Sequence, residues 1–204
     1  TGDFNVAMGF QALCANTTAD NNTAIGYLAL CSNTTGANNT AVGKNSLIAN
    51  TTGNCNMAFG GAALLNNTEG LDNIAMGLIS LCSNTTGDNN VALGSCALRA
   101  NTTANNNVAV GYSALTANTT ATANSAVGTF SLDAATTGSY NSGMGYASLS
   151  AVTTGTGNVA MGYSAGSQIT DGSCNILIGY NAQLSSNSTN RIGLGNGISV
   201  SAND

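Results

Sequence analysis

The feature of this sequence that most constrains its fold is a 17-residue unit, repeated eleven times in succession without an insertion. Counting from Asp3, each copy approximates x-x-Asn-(Val/Thr)-Ala-(Val/Ile/Met)-Gly-(Tyr/x)-x-(Ala/Ser)-Leu-x-x-Asn-Thr-Thr-(Gly/Ala), and residues 20–36 lie close to this consensus. We call the residues at one place in successive copies a column, numbered 1 to 17. Self-similarity at a fixed period of this length is typical of repeat architectures, in which each unit stacks only on its neighbours. We therefore expect a rod.

Two columns never vary, and they predict a structural ladder. Column 3 is Asn and column 7 is Gly in all eleven copies. Asn stacked at strand spacing can form an amide ladder and hold a tight turn. Gly is required where φ is positive or where another backbone passes too close for a Cβ. The expected ladder residues include Asn5, Asn22, Asn39, Asn90, Asn107, Gly9, Gly26, Gly43, Gly94 and Gly111.

Columns 4 to 6 alternate in size as a β-strand does. Column 6 is always large and apolar, column 4 holds Val, Thr, Ile, Met or Ser, and column 5 is Ala in nine copies. Because successive strand side chains point to opposite faces, columns 4 and 6 share one face and the small columns 5 and 7 share the other. We expect the small face inside the coil and the bulky face buried against other copies of the chain. The expected oligomer face comprises Met8, Ile25, Val42, Phe59, Met76, Leu93, Val110 and Val127.

The remaining columns predict a second short strand and a return. Column 10 is always Ala or Ser and column 11 is Leu in the first nine copies, so we interpret columns 8 to 11 as a strand. Columns 12 to 17 carry Asn, Thr and Gly, which favour turns. Helix is disfavoured because each apolar run is short and contains Gly. The predicted fold is all-β, a parallel β-solenoid of about eleven coils with two strands each, roughly 50 Å long at the usual strand spacing.

The last copies depart from the repeat. After Asn175 the register breaks, and STNRIGLGNG is a degenerate copy. We expect residues 1–187 to form the solenoid. Residues 188–204 are expected to be a degenerate terminal repeat, or a junction to a C-terminal domain outside this sequence.

Composition argues against several classes of function. The chain has three Lys or Arg, eight Asp or Glu, a net charge of −5 and no His. Nucleic-acid binding requires clustered basic residues, and a membrane span requires about 18 apolar residues in a row, so neither is expected. Without His, a nucleophile would lack its commonest base, and no metal-ligand spacing is present. We predict no enzyme, no metal and no cofactor.

The six cysteines leave two interpretations open. They are Cys14, Cys31 and Cys82 in column 12, Cys55 and Cys174 in column 2, and Cys96 in column 9. Cysteine can serve as a small apolar filler. Alternatively, Cys14 and Cys31 could form a disulfide, because only they share a column in adjacent copies.

Three surface columns suggest binding but have simpler interpretations. Column 8 is aromatic in six copies, which fits cross-strand packing or a glycan surface. Thr fills column 15 in ten copies and column 16 in eight, as in ice-binding solenoids, although adjacent Thr in a turn suits that surface poorly. Asp3 and Asp20 could bind a cation or be solvated turn carboxylates. A monomeric solenoid that binds ice or glycan is therefore the alternative function. The aromatic members of column 8 are Phe10, Tyr27, Tyr112, Tyr146, Tyr163 and Tyr180.

Strings such as NTAIGYLAL and NTTGANNTAVG resemble the repeat shaft of phage tail-fibre-like proteins and the head region of trimeric autotransporter adhesins. The C-terminal STNRIGLGNGISVSAND is similar to the stretch that precedes a self-cleaving chaperone domain in tail-fibre proteins. The adhesin-head repeat is shorter, so the Asn-Thr-Thr-Gly segment is a departure from it. The resemblance implies a left-handed, homotrimeric β-roll, located outside the cell on a cell surface or virion. It also implies a structural fibre or adhesin segment, with any glycan or receptor bound by other parts of the protein.

Overall fold

The computed structural model describes residues 2–200 and is a parallel β-solenoid in which each coil contributes one strand to the main sheet. Eleven three-residue strands recur every 17 residues, and a further strand continues the same sheet. The predicted all-β solenoid of about eleven 17-residue coils is confirmed, and residues 2–200 contain no helix. We number the coils from coil 1 at residues 3–19 to coil 11 at residues 173–189.

The twelve strands of the main sheet are β1 (Val6–Met8), β2 (Thr23–Ile25), β3 (Thr40–Val42), β4 (Met57–Phe59), β5 (Ile74–Met76), β6 (Val91–Leu93), β7 (Val108–Val110), β8 (Ser125–Val127), β9 (Ser142–Met144), β10 (Val159–Met161), β11 (Ile176–Ile178) and β13 (Ile192–Leu194). Two shorter strands, β12 (Gln183–Leu184) and β14 (Ser199–Val200), pair in parallel in a second sheet.

The strands of the main sheet pair in register, so residues of the same column lie next to each other in successive coils. Val91 pairs with Val108, and Val108 pairs in turn with Ser125, each 17 residues apart. The last step is one residue shorter, because Ile176 pairs with Ile192. The degenerate copy after residue 187 therefore adds a strand to the sheet despite its broken period.

The interior of the coil is narrow and is filled by small side chains and by one stack of leucines that runs from coil to coil. From coil 2 onward the column 5 alanines are buried, as are the column 11 leucines, and Ala92 and Leu98 illustrate both. Both exceptions in column 5 follow from this packing. Leu177 fills space left by Gly166, whose added Cβ would lie 3.5 Å from the Leu177 Cδ1. Gly143 makes room for two stacked serine hydroxyls that hydrogen-bond each other at 2.9 Å, those of Ser131 and Ser148.

The predicted second strand in columns 8 to 11 is wrong. Columns 9 and 11 hold residues with positive φ, such as Leu28 at 56° and Leu30 at 52°, and this conformation is incompatible with a strand. Although they do not form a strand, these residues still make backbone hydrogen bonds to adjacent coils. The Leu28 N–H donates to the carbonyl of Phe10 in the preceding coil, and the Leu30 N–H donates to the carbonyl of Ser46 in the following coil. The left-handed residues of column 11 place their leucine side chains in the interior next to the buried column 10 residues.

Candidate functional site

The outer face of the main sheet carries the most distinctive surface of the chain. In β8 to β11 the burial pattern is exposed, buried, exposed, so columns 4 and 6 point outward and column 5 points inward. Val127 is 37% exposed and its partner on the next strand, Met144, is 50% exposed, whereas Ala126, which precedes Val127, is fully buried. We call the outward residues of columns 4 and 6 the sheet stripe. It follows the sheet from strand to strand as a series of exposed or half-buried, mostly apolar side chains.

All eight residues of the expected oligomer face lie on the sheet stripe. Those with the largest exposed fractions are Met8 at 65%, Met76 at 39%, Val127 at 37% and Phe59 at 36%. The half-buried members are Ile25, Val42, Leu93 and Val110. A shallow groove crosses the stripe where column 4 becomes Ser125 and Ser142. Its apolar walls include Val127, Met144 and Met161.

The column 3 asparagines hold the start of every strand in place. The Asn39 N–H donates to the Asn22 Oδ1 at 2.9 Å, and the Asn107 N–H donates to the Asn90 Oδ1 at 3.0 Å. The Asn39 Nδ2 also donates to the carbonyl of Gly53 at the end of its own coil, at 2.8 Å. Between coils 1 and 2, the Asn5 Oδ1 accepts the Asn22 N–H in the same way. Each amide therefore bonds coil to coil through its oxygen and closes its own coil through its nitrogen.

A second asparagine ladder, in column 14, was not anticipated from the sequence. Its members in coils 2 to 7 are fully buried. The Asn84 Nδ2 donates to the Asn67 Oδ1 at 2.7 Å and to the carbonyl of Gly87 at 2.9 Å. A signal was present, because coils 8 to 10 carry Ala135, Val152 and Ile169 in this column. Apolar residues in place of Asn indicate an interior position rather than an exposed turn.

The invariant column 7 glycines combine a backbone conformation outside the left-handed region of the column 9 and 11 residues with a contact too close for a Cβ. Gly94 has a φ of +133°, and a Cβ added there would lie 2.5 Å from the carbonyl oxygen of Gly111 in the next coil. The same contact recurs at Gly9, Gly26 and Gly43. These glycines let one coil approach the next at the end of each strand.

Five of the six column 8 rings stack on a ring of the same column, whereas Tyr112 meets Phe130 of column 9 edge-on at 5.5 Å. The ring centroids of Tyr146 and Tyr163 are 5.3 Å apart, and those of Tyr163 and Tyr180 are 5.1 Å apart, with interplanar angles of 8° and 11°. Phe10 and Tyr27 stack similarly at 5.5 Å. Because neighbouring rings cover each other's faces, Tyr163 offers little open face to a sugar. This arrangement favours coil-to-coil packing over glycan contact.

Polar side chains at the turns are committed to backbone hydrogen bonds. The Thr85 hydroxyl donates to the carbonyl of Thr102 at 3.1 Å, and the same bond recurs from Thr102 to Thr119 at 3.2 Å. The Asp20 carboxylate accepts the Asp3 N–H at 2.7 Å. Within residues 2–200, no group of three or more His, Cys, Asp or Glu could hold a metal ion. The column 15 threonines and the Asp20 carboxylate thus bond one coil to the next.

Cys14 and Cys31, which share a column in adjacent coils, lie close together. The Sγ atoms of Cys14 and Cys31 are 2.9 Å apart, with Cys14 exposed and Cys31 half-buried. Burial, and then the hydrogen bond and charge of the Cys14 thiol, raise the pKa of Cys31 to about 11. Cys82 shares the column, but its Sγ faces the carbonyl of Arg99 at 3.7 Å.

No protein-family model, curated protein or solved structure matches this chain. Residues 2–200 include no helix with the length and hydropathy to cross a membrane. The sheet stripe follows the twelve strands of the main sheet and exposes mostly apolar side chains.

Proposed function

We propose that this chain is a segment of a structural fibre or adhesin, a rigid rod that associates with copies of itself through the sheet stripe. The expected assembly is a homotrimer on a phage tail or bacterial cell surface. The observation that carries the proposal is the stripe itself, an apolar face that runs along a twelve-stranded sheet.

Rigidity follows from the way each coil is bonded to the next. Columns 3, 14 and 15 contribute side-chain hydrogen bonds at successive steps, as at Asn107, Asn101 and Thr102. The backbone adds further bonds between coils on both sides of each strand. Repeats that contact only their neighbours, with such dense bonding, form extended and stiff bodies. A stiff body of this kind suits a spacer that presents a binding tip carried elsewhere in the protein.

Association follows from the exposed apolar area. Met144 and Met161 are 50% and 46% exposed on consecutive strands, and their neighbours along the stripe are similar. Soluble monomers rarely expose contiguous apolar patches of more than a few hundred Å². A closed symmetric assembly buries the stripe of every copy. Three copies around an axis are what the resemblance to adhesin heads and tail fibres implies, whereas a face-to-face pair would be the simplest competing arrangement.

The test is the mass in solution of the parent chain and of two matched variants, measured by sedimentation equilibrium. Val110→Asp with Val127→Asp places two carboxylates in the stripe, where burial against another copy would be costly. Thr103→Asp with Thr120→Asp adds the same charge at exposed turn positions of coils 6 and 7. We expect trimers for the parent and the turn variant. The stripe variant should be a folded monomer with unchanged circular dichroism.

A parent that sediments as a well-folded monomer would refute the proposal and would favour a monomeric ligand-binding solenoid. A dimer would retain the stripe as the interface and reject the threefold arrangement. Equal loss of association in both variants would show that charge, rather than the position of the stripe, is responsible.

A further inference from the structure

We propose that Cys14 and Cys31 are a thiol pair that forms a reversible disulfide, which links coil 1 to coil 2 along the outer edge of the turn. This site does not depend on the proposed assembly, because it lies in column 12, away from the sheet stripe. The observation behind it is the 2.9 Å separation of the two Sγ atoms on coils whose backbones are already bonded together.

The backbone holds the two residues opposite each other. The Leu13 N–H donates to the carbonyl of Ala29, and the Ala15 N–H donates to the carbonyl of Cys31, both at 3.0 Å. In-register coils at the usual strand spacing of about 4.8 Å place Cα atoms within the range of about 4.4–6.8 Å that disulfides require. Bond formation therefore requires the two Sγ atoms to approach from 2.9 Å to the S–S bond length of about 2.05 Å.

No other cysteine is placed in this way. Cys82 lies between Leu65 and Arg99 in its column, and Cys55 lies between Asn38 and Asp72. The remaining two, Cys96 and Cys174, likewise have no cysteine at the same column in an adjacent coil. The chain thus provides four cysteines that serve as internal controls for the pair.

The reaction we infer is exchange with a small-molecule disulfide such as oxidised glutathione. The exposed Cys14, as thiolate, attacks one sulfur of the oxidant and releases one thiolate, giving a mixed disulfide. Cys31, as thiolate, then attacks the Cys14 sulfur and releases the second thiol. Two protein thiols lose two electrons and two protons, and one oxidant disulfide becomes two thiols.

The order of the steps follows from the surroundings of the two thiols. The raised pKa of Cys31 disfavours it as the first nucleophile, and Cys14 is more accessible to the oxidant. Two of the causes that raise the pKa of Cys31 come from the Cys14 thiol, through its hydrogen bond and its charge. The mixed disulfide removes both causes, so the second step becomes easier once the first has occurred.

The experiment uses the full chain, first reduced, desalted and then incubated with either oxidised or reduced glutathione. The protein is denatured, alkylated with iodoacetamide, digested with trypsin and analysed by mass spectrometry. Cleavage after Lys44, Arg99 and Arg191 isolates residues 1–44, which contain Cys14 and Cys31 and no other cysteine. Cys14→Ser and Cys31→Ser chains serve as matched controls, and Cys82 reports the behaviour of a column 12 thiol without a partner.

After oxidation we expect the 1–44 peptide to carry no alkyl group and to be lighter by two hydrogens than its reduced form. Peptides with the other four cysteines should carry an alkyl group or glutathione at each thiol. In each Ser variant, the remaining thiol of the 1–44 peptide should behave like Cys82. Two alkyl groups on the oxidised peptide, or glutathione that stays on Cys14, would overturn the proposal.

Discussion

The buried asparagine ladder of column 14 ends at Asn118, and this end allows a quantitative test of how the interior is stabilised. The next coil has Ala135 at this place, so residues 2–200 provide no hydrogen-bond donor to the buried Asn118 Oδ1. Inside the ladder, by contrast, the Asn84 Oδ1 accepts the Asn101 Nδ2 at 2.9 Å. Substitution by Val should therefore have very different effects at the two positions. Val is a fair replacement because Val152 is fully buried in the same column.

Asn84→Val removes three hydrogen bonds and leaves the buried Asn67 Oδ1 without its donor. The carbonyl of Gly87 keeps the Asn73 Nδ2, and the Asn101 Nδ2 keeps the carbonyl of Ala104. One new orphaned acceptor costs about 1–3 kcal/mol, and a lost hydrogen bond costs about 0.5–1.5 kcal/mol. We expect Asn84→Val to lower the free energy of unfolding by about 2–4 kcal/mol.

Asn118→Val removes one orphaned acceptor and creates another. The Asn118 Oδ1 disappears, the Asn101 Oδ1 loses its donor, and the carbonyl of Ala121 keeps the Asn107 Nδ2. Two hydrogen bonds are lost, but the number of unsatisfied buried oxygens is unchanged, so we expect a smaller loss in the free energy of unfolding, of about 1–2 kcal/mol. A difference of about 2 kcal/mol between the variants corresponds to about 4–8 °C in Tm for a chain of this size.

The assay is guanidinium unfolding followed by circular dichroism, with the mass of each variant checked in solution. Comparison of the two Asn→Val variants cancels the change in side-chain volume and hydropathy. A loss for Asn118→Val that equals or exceeds the loss for Asn84→Val would refute the assignment of stability to the ladder bonds.

Two further predictions concern single positions. Gly94→Val places a side chain against the carbonyl of Gly111 at positive φ and should lower the free energy of unfolding by about 2–4 kcal/mol. Gly61→Val should cost far less in the same unfolding assay, because its Cβ would meet the end of a flexible side chain, the Leu78 Cδ1 at 3.2 Å. Equal stability of the two variants would contradict the close-approach explanation. Burial raises the pKa of Asp133, and this effect exceeds the opposing effect of the backbone hydrogen bonds to its carboxylate, so its contribution to stability is largest below the ordinary carboxyl pKa and is lost as the pH rises. The Tm of Asp133→Asn should therefore rise relative to that of the parent between about pH 3 and about pH 7. A difference in Tm that stays constant with pH would contradict this prediction.

The sequence was sufficient to predict the solenoid and the outward direction of columns 4 and 6. Both depend on periodicity alone, since a fixed 17-residue period stacks like on like and a period of two assigns the faces of a strand. Column 5 illustrates this, because Ala92, which lies between the bulkier Val91 and Leu93, is fully buried inside the coil.

The path of the coil outside the strand could not be predicted in the same way. Leu30 and Leu47 occupy the left-handed region, which Leu rarely adopts, because the hydrogen bonds and burial of a closed coil hold them there. No local preference signals such a conformation. The asparagines of column 14 pose a similar difficulty, since Asn-Thr-Thr-Gly has the composition of a turn whether the Asn points inward or outward.

The interior and the outer face of the solenoid change composition in the same two coils. In coils 8 and 9 the interior of column 14 becomes apolar, with Ala135 and Val152, while the outer column 4 becomes Ser125 and Ser142. Apolar burial within the chain rises where the sheet stripe loses apolar surface for a partner. Because hydrophobic stabilisation scales with the apolar area removed from water, these coils gain more stability from their own core and less from association than the coils before them. Association through the stripe should therefore be strongest where columns 4 and 6 are both large, as at Met57 and Phe59, and weakest across the groove at Ser142.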